Sequence, residues 1–195
     1  MFSNTIPLYL INGFLEGGKT SFIQDVLTNG DFADGQKTLL ILCEEGEVEY
    51  DQSELTNLNI LSLTVDEEKD FNGEYLRNCI RKYRPKRIFV EMNGMWDCKW
   101  MFDSALPREV EIAQVITIVD GSTFQVYVNN MKGILSNLFT YTEMVIFNRC
   151  TEDMPLHSFR RAVRGVNPRA MVYFEDEEGN PVDPGMEEPP YDLNA

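Results

Sequence analysis

The chain has 195 residues, 43% hydrophobic and 25% charged, the balance of a globular protein with room for one substantial core. Its 17 basic and 32 acidic side chains leave a net charge of −15, which opposes contact with a nucleic-acid backbone or an anionic membrane surface. No apolar run approaches a membrane span and residues 1–5 carry no basic signal-peptide region, so a cytoplasmic protein with no nucleic-acid and no membrane partner is expected.

Residues 6–11 read as an apolar strand, followed by a glycine-rich turn and an amphipathic helix over about 19–27 carrying Phe22, Ile23, Val26 and Leu27. A second strand spans 38–42, bounded by Asp34-Gly35 and by a glutamate-rich loop, and a third spans 59–63. Helical spacing returns over 71–83, with Tyr75, Leu76, Cys79, Ile80 and Tyr83 on one face; Pro85 stops it before a strand over 87–91. The densest basic stretch, 77–87, reads as a helix end whose cations complement the helix dipole.

A continuous apolar strand over 115–119 leads into Asp120-Gly-Ser-Thr123, a helix start, and the helix runs towards Phe139. A strand over 144–147, a helix over 155–164 and a strand over 170–174 complete the pattern. Strands apolar throughout and separated by helix-length segments are parallel strands covered on both faces and joined by right-handed crossovers. The expectation is a three-layer α/β fold with a mostly parallel central sheet, filling residues 1–174. From Glu175 onward acids and prolines offer nothing to bury, so 175–195 is expected to be a solvated tail or linker.

Gly13-Phe-Leu-Glu-Gly-Gly-Lys-Thr20 fits the phosphate-loop pattern G-x-x-x-x-G-K-[ST], and it lies where that pattern has meaning, between a strand and a helix. Gly13, Gly17 and Gly18 let backbone N–H groups approach phosphate oxygens, and the helix opening through Ser21 adds its positive end. Lys19 would reach the β- and γ-phosphates and the Thr20 hydroxyl would coordinate Mg²⁺. These residues define a P-loop NTPase fold whose ligand is a nucleoside triphosphate. Glu16, a carboxylate inside the cradle, weakens phosphate binding unless it points outward or faces a cation, and it reads as a solvated loop side chain.

With these motifs in place, the chain resembles the CobW/HypB/UreG family of GTPases and metallochaperones, particularly its CobW-like branch, from residue 6 to about 174. Ile6-Pro-Leu-Tyr-Leu-Ile-Asn-Gly-Phe-Leu-Glu-Gly-Gly-Lys-Thr20 matches the family's strand and phosphate loop, with Glu16 where a glycine is usual. Glu44-Glu-Gly-Glu-Val-Glu-Tyr-Asp51 resembles its N-E-x-G-E-V-x-x-D segment, with Cys43 in the asparagine position. Glu91-Met-Asn-Gly94 matches E-x-x-G, Val119-Asp120 a V-D dipeptide, and Asn167-Pro-Arg-Ala170 an N-P-x-A segment.

The resemblance implies that Glu91, at a strand's C-terminal end, serves the Mg²⁺ shell or orients water, and that the Gly94 N–H senses the γ-phosphate. It makes Glu44, Glu47 and Asp51 candidate switch or metal residues, where the residues by themselves read as a solvated acidic turn. Asn148-Arg149 falls where a guanine-reading N-K-x-D would lie, but Thr151 replaces the aspartate and Asp153 comes two residues late. GTP is therefore implied by the family, with ATP left open by the missing contact. The family's C-x-C-C metal motif is absent.

The four cysteines are widely spaced and read as reduced thiols rather than a disulfide frame. Cys43, Cys98 and Cys150 each follow a strand, so with Glu44 or Glu47 they could hold zinc or another soft transition metal; the other reading is small buried hydrophobes. His157 reads as a surface residue. Together these features point to a slow, Mg²⁺-dependent GTPase acting as a nucleotide-gated switch in metal or metallocofactor handling. Catalysis would be electrostatic, through loop N–H groups and Lys19. No arginine finger is evident, so an activating partner, a client metalloprotein or a homodimer contact would complete the site. The alternatives are a nucleotide-binding or metal-binding module without significant hydrolysis and, ranked below it, a small-molecule kinase.

Overall fold

The computed structural model describes residues 5–29, 32–44, 50–103, 106–130 and 132–182. Its frame is β1 (Ile6–Asn12), α1 (Lys19–Asn29), β2 (Thr38–Leu42), α2 (Gln52–Asn57), β3 (Ile60–Thr64), α3 (Gly73–Tyr83), β4 (Arg87–Glu91) and α4 (Lys99–Phe102), then β5 (Val110–Asp120), α5 (Gly121–Asn130), α6 (Lys132–Thr140), β6 (Met144–Asn148), α7 (Leu156–Val166) and β7 (Met171–Phe174). The seven strands form one sheet in the order β3-β2-β4-β1-β5-β6-β7, and every strand pair is parallel.

That order fixes the layers. From β1 the chain moves one way across the sheet to β2 and β3, whereas from β3 onward it moves the other way. Right-handed crossovers then send α1 and α2 to one face and α3 to α7 to the other. The buried side chains obey this division. Ile23, Val26 and Leu27 of α1 and Leu55 of α2 pack on Ile11, Leu40, Phe89, Ile118 and Ile146. On the opposite face Leu76 and Cys79 of α3 pack on Leu10, Ile41 and Val90. Farther along that face Phe124 of α5, Phe139 of α6 and Phe159 of α7 meet Val119, Phe147 and Val172. Alternate residues of each strand thus serve opposite layers, which is why the strands read as apolar throughout.

Several elements differ from the sequence expectation. β5 begins at Val110, pairing with Ile6 at the start of β1 before a register shift. The helix expected to run unbroken towards Phe139 is two helices, α5 and α6. Helix α3 starts at Gly73 behind an Asn72 cap that accepts from the Glu74 and Tyr75 N–H groups, and Phe71 turns into the core instead.

Arg87 opens β4 as the strand over 87–91 predicted, and it is 5% exposed there, apart from the basic helix end that precedes it. Its Nε donates to Thr38 Oγ1 at 2.7 Å, its Nη2 donates to Asp34 Oδ1 at 2.8 Å and to the Phe32 carbonyl, and its guanidinium lies over the Phe32 ring. A buried cation needs this full set of partners, and the set ties the loop after α1 to the sheet.

Beyond β7 the chain stays engaged for a few residues. Glu175 pairs with Pro181 in an antiparallel bridge, and Asp176 accepts from the N–H groups of Glu178 and Asn180. The rest of the expected tail, 183–195, lies outside the described residues. Among the described residues no helix is long and apolar enough to cross a membrane.

Candidate functional site

β1 leads to a helix on one face of the sheet, while its neighbours β4 and β5 lead to helices on the other. Strand connections diverging in this way open a crevice at the strands' C-terminal ends. A cleft of about 350 Å³ lies there, lined on the loop side by Leu15, Gly18, Thr20 and Ser21. Its charged lining is Glu16, Glu44, Glu91 and Asp120 against Lys19 and Arg149.

The loop between β1 and α1 is held by close backbone contacts. Glu16 adopts a left-handed φ of 58° and its side chain is exposed, consistent with a solvated position. A β-carbon on Gly94 would stand 2.3 Å from the Gly13 carbonyl oxygen, so the turn after β4 packs on the loop through a glycine with no room for a side chain. Gly18 lies at φ 100°, where side chains are disfavoured, and a β-carbon there would meet the Asn148 side chain at Nδ2, 2.4 Å away.

Lys19 is 3% exposed and spends its donors inward. Its Nζ donates to the carbonyls of Gly13 at 2.9 Å and Phe14 at 2.8 Å, and to Glu44 Oε2 at 2.6 Å. Glu44, a candidate metal residue from the sequence, is thus the ionic partner of the loop lysine, with its side chain 10% exposed.

Beside Lys19, Thr20 Oγ1 donates to Glu91 Oε1 at 2.7 Å, and the Tyr50 hydroxyl donates to Glu91 Oε2 at 2.6 Å. Glu91 is 4% exposed, with both carboxylate oxygens engaged. Burial, and then the charge of Glu91, pushes the Tyr50 phenol well above its ordinary range, so it remains a donor. Tyr50 was not legible as a site residue; only its position beside the acidic segment hinted at it. Asp51, proposed as a metal or switch residue, instead caps α2, accepting from Ser53 N at 2.8 Å and Glu54 N at 3.2 Å. Glu47 lies outside the described residues.

The far wall comes from the ends of β5 and β6. Asn148 Nδ2 donates to the Gly17 carbonyl at 2.8 Å, while its buried Oδ1 has no partner among the described residues. Arg149, in the left-handed region at φ 53°, donates to Asp120 Oδ2 at 2.6 Å and to the Glu16 carbonyl at 3.2 Å. Burial raises the Asp120 carboxyl, but hydrogen bonds from Ser122 and Arg149 outweigh it and hold the group below the ordinary carboxylate range. At the position where a guanine-reading aspartate was missing, the Thr151 hydroxyl donates to Asp153, so those two side chains pair with each other.

The thiol arrangement weighed as a soft-metal site against small buried hydrophobes is not brought together among the described residues. Cys43 and Cys98 belong to one buried cluster and Cys150 to another, and among the described residues no three His, Cys, Asp or Glu side chains gather to hold a metal. Burial pushes the thiols up, Cys98 to about 11 and Cys150 to about 12, with Cys43 beyond them under the added influence of Glu91 and Glu44. Such thiols stay protonated at neutral pH, in keeping with small buried hydrophobes. His157 is exposed. For Mg²⁺ the donor set is suitable: Thr20 and Glu91 offer hard oxygens. The cleft's carboxylates outnumber its cations, so a divalent cation there would offset their repulsion of an anionic ligand.

Comparison with known proteins gives the same region. The family model described as CobW/HypB/UreG, nucleotide-binding domain, matches residues 7–174. The zinc chaperone CobW of Sinorhizobium sp is 30% identical over 146 residues, covering 60% of this chain and 37% of that protein, so the match spans little more than a third of the curated relative. Hydrogenase maturation factor HypB from Archaeoglobus fulgidus superposes with a TM-score of 0.60 at 11% identity, over 92% of this chain and 86% of that one. HypB from Helicobacter pylori, solved in complex with nickel, gives 0.56 at 8% identity, over 90% and 80%. At these identities the two structures bear on the fold alone, a P-loop NTPase-like α/β sheet.

Proposed function

This chain belongs to the CobW/HypB/UreG nucleotide-binding domain family, and on that premise we propose that it is a Mg²⁺-dependent GTP-binding switch with slow GTP hydrolysis that serves metal or metallocofactor handling. The observation that carries this is the buried ammonium of Lys19 inside the loop, set beside the Thr20–Glu91 pair on one cleft.

Lys19 and the N–H groups at the start of α1 would bind and orient the β- and γ-phosphates, as a helix N-terminus does for anions. The Thr20 hydroxyl would hold Mg²⁺, and the ion when bound would neutralise phosphate charge that the cleft's carboxylates otherwise repel. Glu91 then acts through Thr20: buried and hydrogen-bonded on both oxygens, it accepts the Thr20 hydroxyl's hydrogen bond and fixes that side chain. Arg149 ties the loop crest to the end of β5, keeping the cradle shaped. Stabilisation of the transferring phosphoryl group by preorganised donors is the main catalytic contribution such a site offers.

One observation favours a second reading, a nucleotide-binding module without significant hydrolysis. Glu91 is 4% exposed and each of its oxygens already accepts from a hydroxyl, so little of its carboxylate faces an attacking water. The Thr151–Asp153 pairing likewise leaves ATP as an alternative ligand. A homodimer contact, a client metalloprotein or an activating partner remains the proposed source of any missing catalytic group. Turnover of GTP with Mg²⁺ by the protein and by Lys19→Ala separates the two readings. A slow rate abolished in the variant supports the switch, and equal rates in both exclude hydrolysis at this site.

A further inference from the structure

Glu91 is gripped by two hydroxyls, and the function above uses only one of them. We infer that Tyr50 is a positioning residue for the divalent-cation shell of the phosphate cleft: it fixes the Glu91 carboxylate so that Glu91 accepts the Thr20 hydrogen bond and leaves the Thr20 lone pairs to the cation. This rests on the proposal that Thr20 serves a Mg²⁺–triphosphate complex.

The geometry carries the assignment. A glutamate's terminal torsion is broad and is not fixed by rotamer preference alone. Here Tyr50 holds Oε2 at 2.6 Å and Thr20 holds Oε1 at 2.7 Å, so the plane of the carboxylate is set from both ends. A hydroxyl has one proton to give; with that proton committed to Glu91, Thr20 can act toward the cleft only as an acceptor, which is what a cation requires.

Two further features give Tyr50 this role and not a packing role alone. Its ring is 8% exposed and sits in the cluster formed with Ile23, Leu27 and Leu55, next to the Asp51 cap of α2. The core therefore fixes the ring, and the hydroxyl is delivered to Glu91 as a consequence. In addition, none of the ion pairs among the described residues includes Glu91. A buried carboxylate lacking a cationic partner among the described residues depends on its hydrogen bonds, and Tyr50 supplies one of the two that hold its side chain among those residues.

The test is calorimetric titration of a non-hydrolysable GTP analogue with and without Mg²⁺, using the wild-type chain, Tyr50→Phe, Glu91→Gln and the double variant. Tyr50→Phe keeps the ring, so the fold should persist. The expected result is a loss of about tenfold or more in the Mg²⁺-dependent gain in affinity, the usual effect of removing a partner behind a metal ligand, with Mg²⁺-free affinity unchanged. In the Glu91→Gln background the same substitution should add little, because its target is gone. An unchanged Mg²⁺ gain in Tyr50→Phe overturns the assignment, and so does an equal loss with and without Mg²⁺, which marks packing alone. A wild-type chain that binds no analogue, or gains nothing from Mg²⁺, overturns instead the underlying proposal for Thr20 and takes this one with it.

Discussion

Replacing Glu44 by Gln should weaken the fold and strengthen phosphate binding at once. In the free protein Glu44 Oε2 sits 2.6 Å from Lys19 Nζ, with side-chain exposures of 10% and 3%, so solvent screens the pair little. Unit charges about 4 Å apart at an effective dielectric of about 20 interact by ~4 kcal/mol. Glutamine keeps a hydrogen bond worth ~1 kcal/mol, leaving up to ~3 kcal/mol of attraction lost. Lys19 retains the Gly13 and Phe14 carbonyls, so the stability loss should stay nearer ~2 kcal/mol, below the ~3–5 kcal/mol of a fully broken buried pair. For a domain of this length that corresponds to a melting temperature about 4–8 °C lower.

A triphosphate entering the wild-type cleft must displace a carboxylate from Lys19, but only a neutral amide in Glu44→Gln. Nucleotide affinity should therefore rise by ~1–3 kcal/mol, about five- to a hundredfold. Chemical denaturation measures the first change and calorimetry without Mg²⁺ the second. If Glu44 were chiefly a metal ligand, as the family resemblance implies, Mg²⁺-nucleotide affinity would fall in the variant. An affinity that falls or stays level refutes the competition between Glu44 and phosphate.

Three other perturbations follow from the geometry. Glu16→Gly removes a left-handed non-glycine residue and a negative charge from the cradle; nucleotide affinity should rise about two- to fivefold at low salt and less at high salt, by titration at two ionic strengths. Gly94→Ala places a β-carbon 2.3 Å from the Gly13 carbonyl, which cannot yield as a side chain would; unfolding should cost ~1–3 kcal/mol less and nucleotide binding should weaken with it. The lowered Asp120 carboxyl contributes stability that is present above the unfolded value near ~3.9 and fades as pH falls through the folded value below it. Asp120→Asn should accordingly cost ~0.5–1 kcal/mol at pH 7 through the lost Arg149 pair and less near pH 3, followed by thermal unfolding across that range.

Where local chemistry dictates conformation, the sequence was enough to read. The phosphate loop, the apolar strands and the alternation of strand and helix announced a parallel α/β sheet, because each depends on residues close together in the chain. Reading failed where a role depends on distant partners. Arg87 lies in a basic stretch, and only its contacts with Phe32, Asp34 and Thr38 show it as a buried tie across the sheet edge. Tyr50 acquires meaning through Glu91 on another strand. Asp51 was a metal or switch candidate through the family resemblance alone, and its capping of α2 shows only once that helix is placed. The early part of β5 was missed because Glu111 and Gln114 interrupt its apolar run, and its pairing with the start of β1 is not local. Of the three cysteines read as following strands, Cys43 and Cys98 fall into one core cluster and Cys150 into another once the sheet faces are assigned.

Calorimetric titration of GTP, GDP and ATP, each with Mg²⁺, into the wild-type chain and Lys19→Ala tests the central claim most directly, with circular dichroism to show that the variant folds. The expected result is tight binding of GTP that falls by about a hundredfold or more in the variant, as loss of a buried charge-assisted phosphate contact demands. Binding of none of the three nucleotides, or equal affinity in a folded Lys19→Ala, would contradict it.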